Sequence, residues 1–137
     1  KFFPDITVHQ EACPIWVSLV ENNEYDSPGA DYFVQKHINN LLMKDDKIDT
    51  IILACTHYPL LINKIQQFIP AGVTVISQGK IIAESLQNYL DRHPAIAKMC
   101  SSNEKREFYT TGEVNDFTIH GSLFYGKPIA ATTIILK

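Results

Sequence analysis

Three residues that could do chemistry follow one another in this chain: Cys55, Thr56 and His57. A thiolate is a strong base and nucleophile, but a free cysteine has a pKa of about 8.5 and needs a cation, a polar loop or a helix N-terminus beside it to act at neutral pH. His57 could stabilise the thiolate or move protons itself. Thr56 offers a hydroxyl and an N–H to an anionic substrate. These types predict proton transfer or nucleophilic chemistry at Cys55.

Two other interpretations of the same residues remain open. Cysteine is among the most often buried residues and a nearby histidine is usually just hydrogen-bonded, so the chain could be a non-catalytic α/β binding module with Cys55 in its core. The second interpretation is a thiol hydrolase with a Cys–His pair. Such an enzyme needs a third group that orients the base, and the base is normally distant in sequence. The spacing of two residues between Cys55 and His57 disfavours it.

The elements around Cys55 predict where it lies in a fold. Residues 50–54 are short, bulky and β-branched without alternation, which predicts a strand buried on both faces. Tyr58-Pro59 ends this strand, and residues 60–69 have helical spacing. Cys55 therefore follows the carboxyl end of a strand, where open α/β sheets bind their ligands.

The rest of the chain alternates between strand and helix patterns. Strands are expected at 6–10, 73–76, 108–110 and 129–136, and helices at 28–42, 81–90 and 114–124. Cys13 begins an expected loop, 77–79 an expected turn, and 91–106 an expected surface connection. This alternation predicts an α/β fold with a mainly parallel sheet flanked by helices.

Composition excludes several classes of protein. The chain has 137 residues, 45% of them hydrophobic, which suffices for a sizeable core, and its net charge of −3 gives no reason to expect nucleic acid or an anionic membrane as partner. No apolar run approaches the roughly 20 residues of a membrane helix, and no signal peptide is visible. Three cysteines without regular spacing predict neither disulfides nor a metal site and suit a reducing cytoplasm. Cys13 is expected to be a buried packing residue.

Three segments carry a resemblance to a known family. Residues 53–61, LACTHYPLL, resemble the second catalytic-cysteine motif of glutamate racemases, L-G-C-T-H-Y-P-L-L, with Ala54 in place of glycine. Residues 11–21, EACPIWVSLVE, are similar to the family's A-C-P-L-F-V-P-L-V-E segment, with Ser18 in place of proline. Residues 108–112, FYTTG, followed by Phe117, resemble its late F-x-x-T-G segment. The order and spacing of all three agree with the family.

The resemblance implies a cofactor-independent glutamate racemase that makes D-glutamate for peptidoglycan synthesis in the bacterial cytoplasm. Two cysteines on opposite faces of the substrate, one a thiolate and one a thiol, would exchange its Cα proton. Cys55 and His57 would be catalytic, Thr56 would hold a substrate carboxylate, and Glu21 would contact the substrate ammonium or assist the base. Aspartate and hydantoin racemases of the same superfamily remain alternatives, although aspartate racemases typically carry Glu where His57 stands.

The resemblance also implies that the chain is a fragment. The family's first catalytic-cysteine motif, V-A-C-N-T-A, does not occur here, so the chain resembles the C-terminal half of a pseudosymmetric two-domain enzyme. Residues 1–80 would form the partial catalytic domain, and 81–137 a linker and return segment that packs on the absent N-terminal domain. Expected partners are glutamate, the missing half and a second copy of the chain. The second copy is expected because the isolated chain would expose apolar surface and strand edges. The isolated chain is also expected not to racemise glutamate.

Overall fold

The computed structural model describes residues 3–101 and 103–136. Its contacts divide the chain into two compact units, Lys1–Ile82 and Ala83–Lys137. The elements are, in chain order, α1 (Pro14–Glu21), α2 (Pro28–Leu42), β1 (Thr50–Leu53), a 3-10 helix (Tyr58–Leu61), α3 (Ile62–Phe68), β2 (Thr74–Ser77), α4 (Gln78–Arg92), α5 (Pro94–Ala97), β3 (Phe108–Thr110), α6 (Val114–Tyr125) and β4 (Ala131–Thr133). Strand β1 pairs in parallel with β2, and β3 with β4. The predicted α/β class with parallel strands is confirmed.

Helix α1 lies where a loop is predicted after Cys13. Pro14 is suited to the first helical position because its missing N–H has no partner to make there. Trp16 and Val20, four residues apart, are both buried, so one turn of the helix packs into the core. Two residues beyond the end of α1, Asn23 lies in the left-handed region with φ 57°. The N–H groups of Asn23 and Glu24 bond back to carbonyls of the last turn in a Schellman motif, which fixes the end of the helix.

Helix α2 begins and packs as its sequence predicts. Ser27 is the N-cap, and its side chain accepts a hydrogen bond from the Ala30 N–H at 3.2 Å. Pro28 occupies the first helical turn. Ala30, Val34 and Ile38 are buried at helical spacing and form the centre of the core of unit Lys1–Ile82 with side chains of α1, β1 and α3.

Strand β1 is buried on one face only. Ile51 and Leu53 are 5% and 4% exposed, whereas Ile52 between them is 58% exposed. The prediction of burial on both faces is therefore wrong for the described part of the chain. One face of this apolar strand packs in the core, and the other face exposes Ile52 to solvent.

The predicted strand at 6–10 does not form. Ile6 and Val8 are 56% and 80% exposed, and no strand of the described residues pairs with this segment. A β-prone run adopts a strand only when a partner strand and a packed surface are present. Hydrogen bonds to residues 44 and 45 hold the segment instead. His9 contacts Asp45 at 3.2 Å, and Lys44 donates to the carbonyl of Gln10.

Three smaller expectations also change. The turn predicted at 77–79 is absent because Ser77 ends β2 and α4 begins at the next residue. The connection predicted at 91–106 starts with the end of α4 and contains α5. The strand predicted at 129–136 is reduced to β4. Ile129, which precedes β4, packs closely on Gly121 of α6. A Cβ atom at Gly121 would lie 2.6 Å from the Ile129 side chain.

A polar cluster anchors the segment that precedes α1. The Glu11 carboxylate accepts from Lys44 at 2.7 Å and Asn40 at 3.2 Å, and contacts His37 at 2.9 Å. These hydrogen bonds, that from Lys44 first, lower the pKa of Glu11 from 4.5 to about 2. The Glu11 side chain is 15% exposed, so solvent screens these contacts only in part.

This cluster makes the stability of the unit depend on pH. Because the folded-state pKa of Glu11 is lowered, its contribution is complete above the unfolded pKa and is lost as pH falls through the folded value. We expect the free energy of unfolding to fall by about 1 to 3 kcal/mol between about pH 6 and pH 2.5. The variant Glu11→Gln should not show this decrease. Urea unfolding followed by Trp16 fluorescence measures it, with exposed Glu24→Gln as control. Equal acid sensitivity in Glu11→Gln and the unmodified chain would contradict the prediction.

Candidate active site

The reactive segment is a tight loop at the carboxyl end of β1. The strand ends at Leu53, and Cys55, Thr56 and His57 connect it to the 3-10 helix. The Tyr58 N–H bonds to the Cys55 carbonyl at 3.3 Å. The helix predicted after Cys55 therefore starts as a 3-10 turn, and its first N–H closes the loop. The strand, loop and helix order is confirmed.

The loop brings the thiol of Cys55 to the imidazole of His57. The Sγ atom lies 3.7 Å from Nδ1, and both side chains are half-buried. The hydroxyl of Thr56 is 3.5 Å from the same nitrogen, while the residue itself is exposed. Three consecutive residues thus turn a thiol, a hydroxyl and an imidazole toward one another.

The other ring nitrogen of His57 meets a carboxylate from the first helix. Nε2 contacts Glu21, which is the last residue of α1 and lies 36 residues earlier in the chain. An ionised carboxylate accepts a hydrogen bond from Nε2–H, which leaves Nδ1 of the neutral ring as the acceptor facing Cys55. The structure therefore unites all four residues that the sequence singled out. Glu21 remains 45% exposed and so stays open to solvent beside the loop.

Tyr58 also belongs to this site, and sequence reasoning missed its part. Its hydroxyl donates to the Cys13 carbonyl at 3.3 Å, and its ring packs edge-on against Trp16 with centroids 4.9 Å apart. Burial is the largest cause of the raised pKa of Tyr58, and the negative charges of Cys13 and Cys55 in their thiolate forms raise it further. A tyrosine two residues before a helical run was visible in the sequence, but nothing there predicted its partners.

The remaining cysteines differ from Cys55. Cys13 is 6% exposed, which confirms the predicted packing cysteine. Desolvation, and after it the charge of Glu11, raises the pKa of Cys13 to about 11, so this thiol stays protonated at neutral pH. Cys100 is exposed on the surface. All three cysteines are free.

A buried lysine links two helices of the same unit. Lys64 of α3 is 7% exposed, although its spacing places it with the polar residues of that helix. Its ammonium lies 2.6 Å from the carboxylate of Asp31 and 3.6 Å from that of Asp26, and the hydrogen bond to Asp31 is the largest cause of its raised pKa. The pair joins α3 to α2.

Within residues 3–101 and 103–136, no group of His, Cys, Asp and Glu side chains is arranged to hold a metal ion. In the same part of the chain, no helix is both long and apolar enough to cross a membrane.

The arrangement can move a proton between sulfur and imidazole. Nδ1 can take the proton of Cys55, and Glu21 stabilises the imidazolium that results. The thiolate could then act as a base or as a nucleophile. A nucleophile, a base and an orienting carboxylate also characterise thiol hydrolases, so Glu21 supplies the third group that the sequence spacing did not reveal. Geometry alone permits either chemistry.

Comparisons with known proteins find similar sequences and structures among glutamate racemases. A glutamate racemase of Lactiplantibacillus plantarum is 36% identical over 125 residues, which are 91% of this chain and 45% of that protein. One of Listeria monocytogenes is 41% identical over 112 residues, which are 82% of this chain and 41% of that protein. A solved glutamate racemase of Bacillus anthracis superposes with a TM-score of 0.80 at 33% identity, covering 96% of this chain and 48% of its own. No protein-family model matches the chain.

Fold and site together define an α/β protein with a histidine-paired thiol at the end of a parallel strand. In sequence and in fold, the chain is similar to glutamate racemases. It spans about half the length of the relatives that it matches.

Proposed function

We propose that the chain is one half of a cofactor-independent glutamate racemase and that Cys55 exchanges the substrate's Cα proton on one face. The observation that carries the proposal is the 3.7 Å approach of the Cys55 thiol to His57 in a homologue of these enzymes. Homology favours an isomerase over a thiol hydrolase. A purely structural Cys55 would not need an imidazole held toward it by a carboxylate.

The chemistry needs a strong base because the α-proton of an amino acid is very weakly acidic. Cys55 as thiolate removes this proton, or as thiol delivers one to the other enantiomer. His57 accepts and returns the thiol proton, and Glu21 keeps its ring in the tautomer that can do so. The contact between Glu21 and His57 favours assistance of the base over a direct hold on the substrate ammonium. Thr56, exposed at the loop, is assigned to the substrate carboxylate.

The second acid/base group belongs to the other half of the enzyme. The relatives are about twice as long as the region they share with this chain. We assign residues 1–80 to the catalytic domain and 81–137 to a linker and return segment that packs on the other half. The three free cysteines suit the cytoplasm, where D-glutamate would enter peptidoglycan synthesis.

A racemisation assay tests the proposal. The full-length protein in which this chain occurs is incubated with L-glutamate, and separately with L-aspartate, without added cofactor, and optical rotation is followed. We expect turnover of glutamate, and none by the 137-residue chain alone because one of two bases is missing. Turnover of aspartate alone would contradict glutamate as the substrate and would leave the proposed proton-transfer mechanism intact. Turnover by the isolated chain would contradict the assignment as a half.

Exposed apolar surface leads us to expect self-association of the isolated chain. Ile52 on the sheet, and Ile81 and Ile82 on α4, are each more than half exposed. Both described sheets have two strands, so every strand has an open edge. Analytical ultracentrifugation should detect dimers or larger species, and Ile52→Thr should reduce them. A monodisperse monomer at all concentrations would contradict this expectation.

A further inference from the structure

Helix α1 touches the reactive loop at both of its ends. At its C-terminal end Glu21 contacts the ring of His57. Before its first turn, the carbonyl of Cys13 accepts a hydrogen bond from the Tyr58 hydroxyl. Tyr58 follows His57 directly in the chain. The two contacts therefore hold neighbouring residues of the loop from opposite ends of one short helix.

Tyr58 is itself held on its ring. The ring packs edge-to-face with the ring of Trp16, whose indole N–H donates to the Phe33 carbonyl of α2 at 3.3 Å. The indole also lies edge-on to His37, with centroids 6.1 Å apart, and His37 contacts Glu11. Tyr58 is thus packed against a side chain that is itself fixed to α2.

We infer that Tyr58 is a positioning residue, whose hydroxyl bond to the Cys13 carbonyl and contact with Trp16 keep His57 Nδ1 in reach of the Cys55 thiol. The inference rests on the proposed role of the Cys55–His57 pair. Tyr58 closes the loop through its backbone as well, because its N–H bonds to the carbonyl of Cys55. A shift of the phenol would carry this N–H, and the neighbouring imidazole, away from the sulfur.

The hydroxyl can be removed without leaving a buried acceptor unpaired. The Cys13 carbonyl also accepts a hydrogen bond from the backbone N–H of Trp16 at 3.1 Å. Tyr58→Phe keeps the ring on Trp16 and removes only the contacts of the hydroxyl with Cys13, so the fold should persist. An effect of this variant on Cys55 would therefore report on the geometry of the loop. Tyr32→Phe is the matched control, since Tyr32 is 61% exposed on α2 and also packs against a neighbouring ring.

The test follows the alkylation of Cys55 by iodoacetamide as a function of pH. The chain carries Cys100→Ser to remove the exposed thiol, and Cys13 is buried. We expect Tyr58→Phe to slow alkylation at neutral pH by about three- to tenfold, the effect of losing one hydrogen bond. Its pH profile should move toward that of His57→Asn, whereas Tyr32→Phe should match the unmodified chain. In the full-length enzyme, Tyr58→Phe should lower kcat and leave KM unchanged.

Two results would overturn the inference in distinguishable ways. If His57→Asn alters the alkylation profile and Tyr58→Phe does not, Tyr58 does not position the pair, and the proposed function survives. If neither variant alters the profile, His57 does not assist Cys55, and both the positioning role and the proposed function fail.

Discussion

Replacing the thiol of Cys55 with a hydroxyl should slow racemisation severely. A serine hydroxyl is far less acidic than a thiol, so Cys55→Ser cannot form the base that removes the Cα proton. The loss of a positioned acid/base group costs about 10²- to 10⁴-fold in rate, and we expect a decrease at the upper end in the kcat of the full-length enzyme. The side chains are nearly the same size, so KM for glutamate should change little.

Cys100→Ser is the matched control for this variant. Cys100 is exposed, and its thiol donates to the carbonyl of Ile96. Its substitution should leave kcat unchanged. Equal activity of Cys55→Ser and Cys100→Ser would remove Cys55 from the chemistry.

The largest effect on stability is expected in the core beneath the loop. Ile65 of α3 is fully buried and belongs to the same cluster as Leu61, at the end of the 3-10 helix. Ile65→Ala removes three carbon atoms from this packing and leaves a cavity, which should cost about 3 kcal/mol of the free energy of unfolding. Urea unfolding monitored by Trp16 fluorescence gives this value directly.

Ile81→Ala makes the same chemical change at an exposed helical position. Ile81 is 51% exposed on α4, so its truncation should change stability by no more than about 0.5 kcal/mol. Similar losses in the two variants would mean that Ile65 does not lie in a packed core.

Local sequence signals predicted much of the fold. Ser27-Pro28 marked the start of α2 because capping depends on neighbouring residues only. The apolar run at 50–54 marked β1 by its residue types. The segment at 6–10 has similar types and yet forms no strand, because a strand depends on a partner that local sequence does not contain. The loop predicted after Cys13 is wrong for another reason: Pro14 can occupy the first position of a helix, and here it does.

The candidate site was predictable in part for the same reason. Cys55, Thr56 and His57 are adjacent, so their types and their place after a strand were visible together. The Glu21 carboxylate reaches His57 across 36 residues, and only the packing of α1 on the loop brings the two together. The resemblance to glutamate racemases indicated Glu21 as a site residue but did not predict its contact with His57. The bond from Tyr58 to Cys13 spans 45 residues and had no local signal at all.

The origin of the product's Cα hydrogen tests the two-base mechanism most directly. The full-length enzyme is given L-glutamate in D₂O, and both enantiomers are analysed at low conversion. One base on each face predicts that newly formed D-glutamate carries solvent deuterium at Cα, while the remaining L-glutamate keeps its hydrogen. D-glutamate that retains the original hydrogen would mean that a single group moves the proton between faces, and would contradict the role proposed for Cys55.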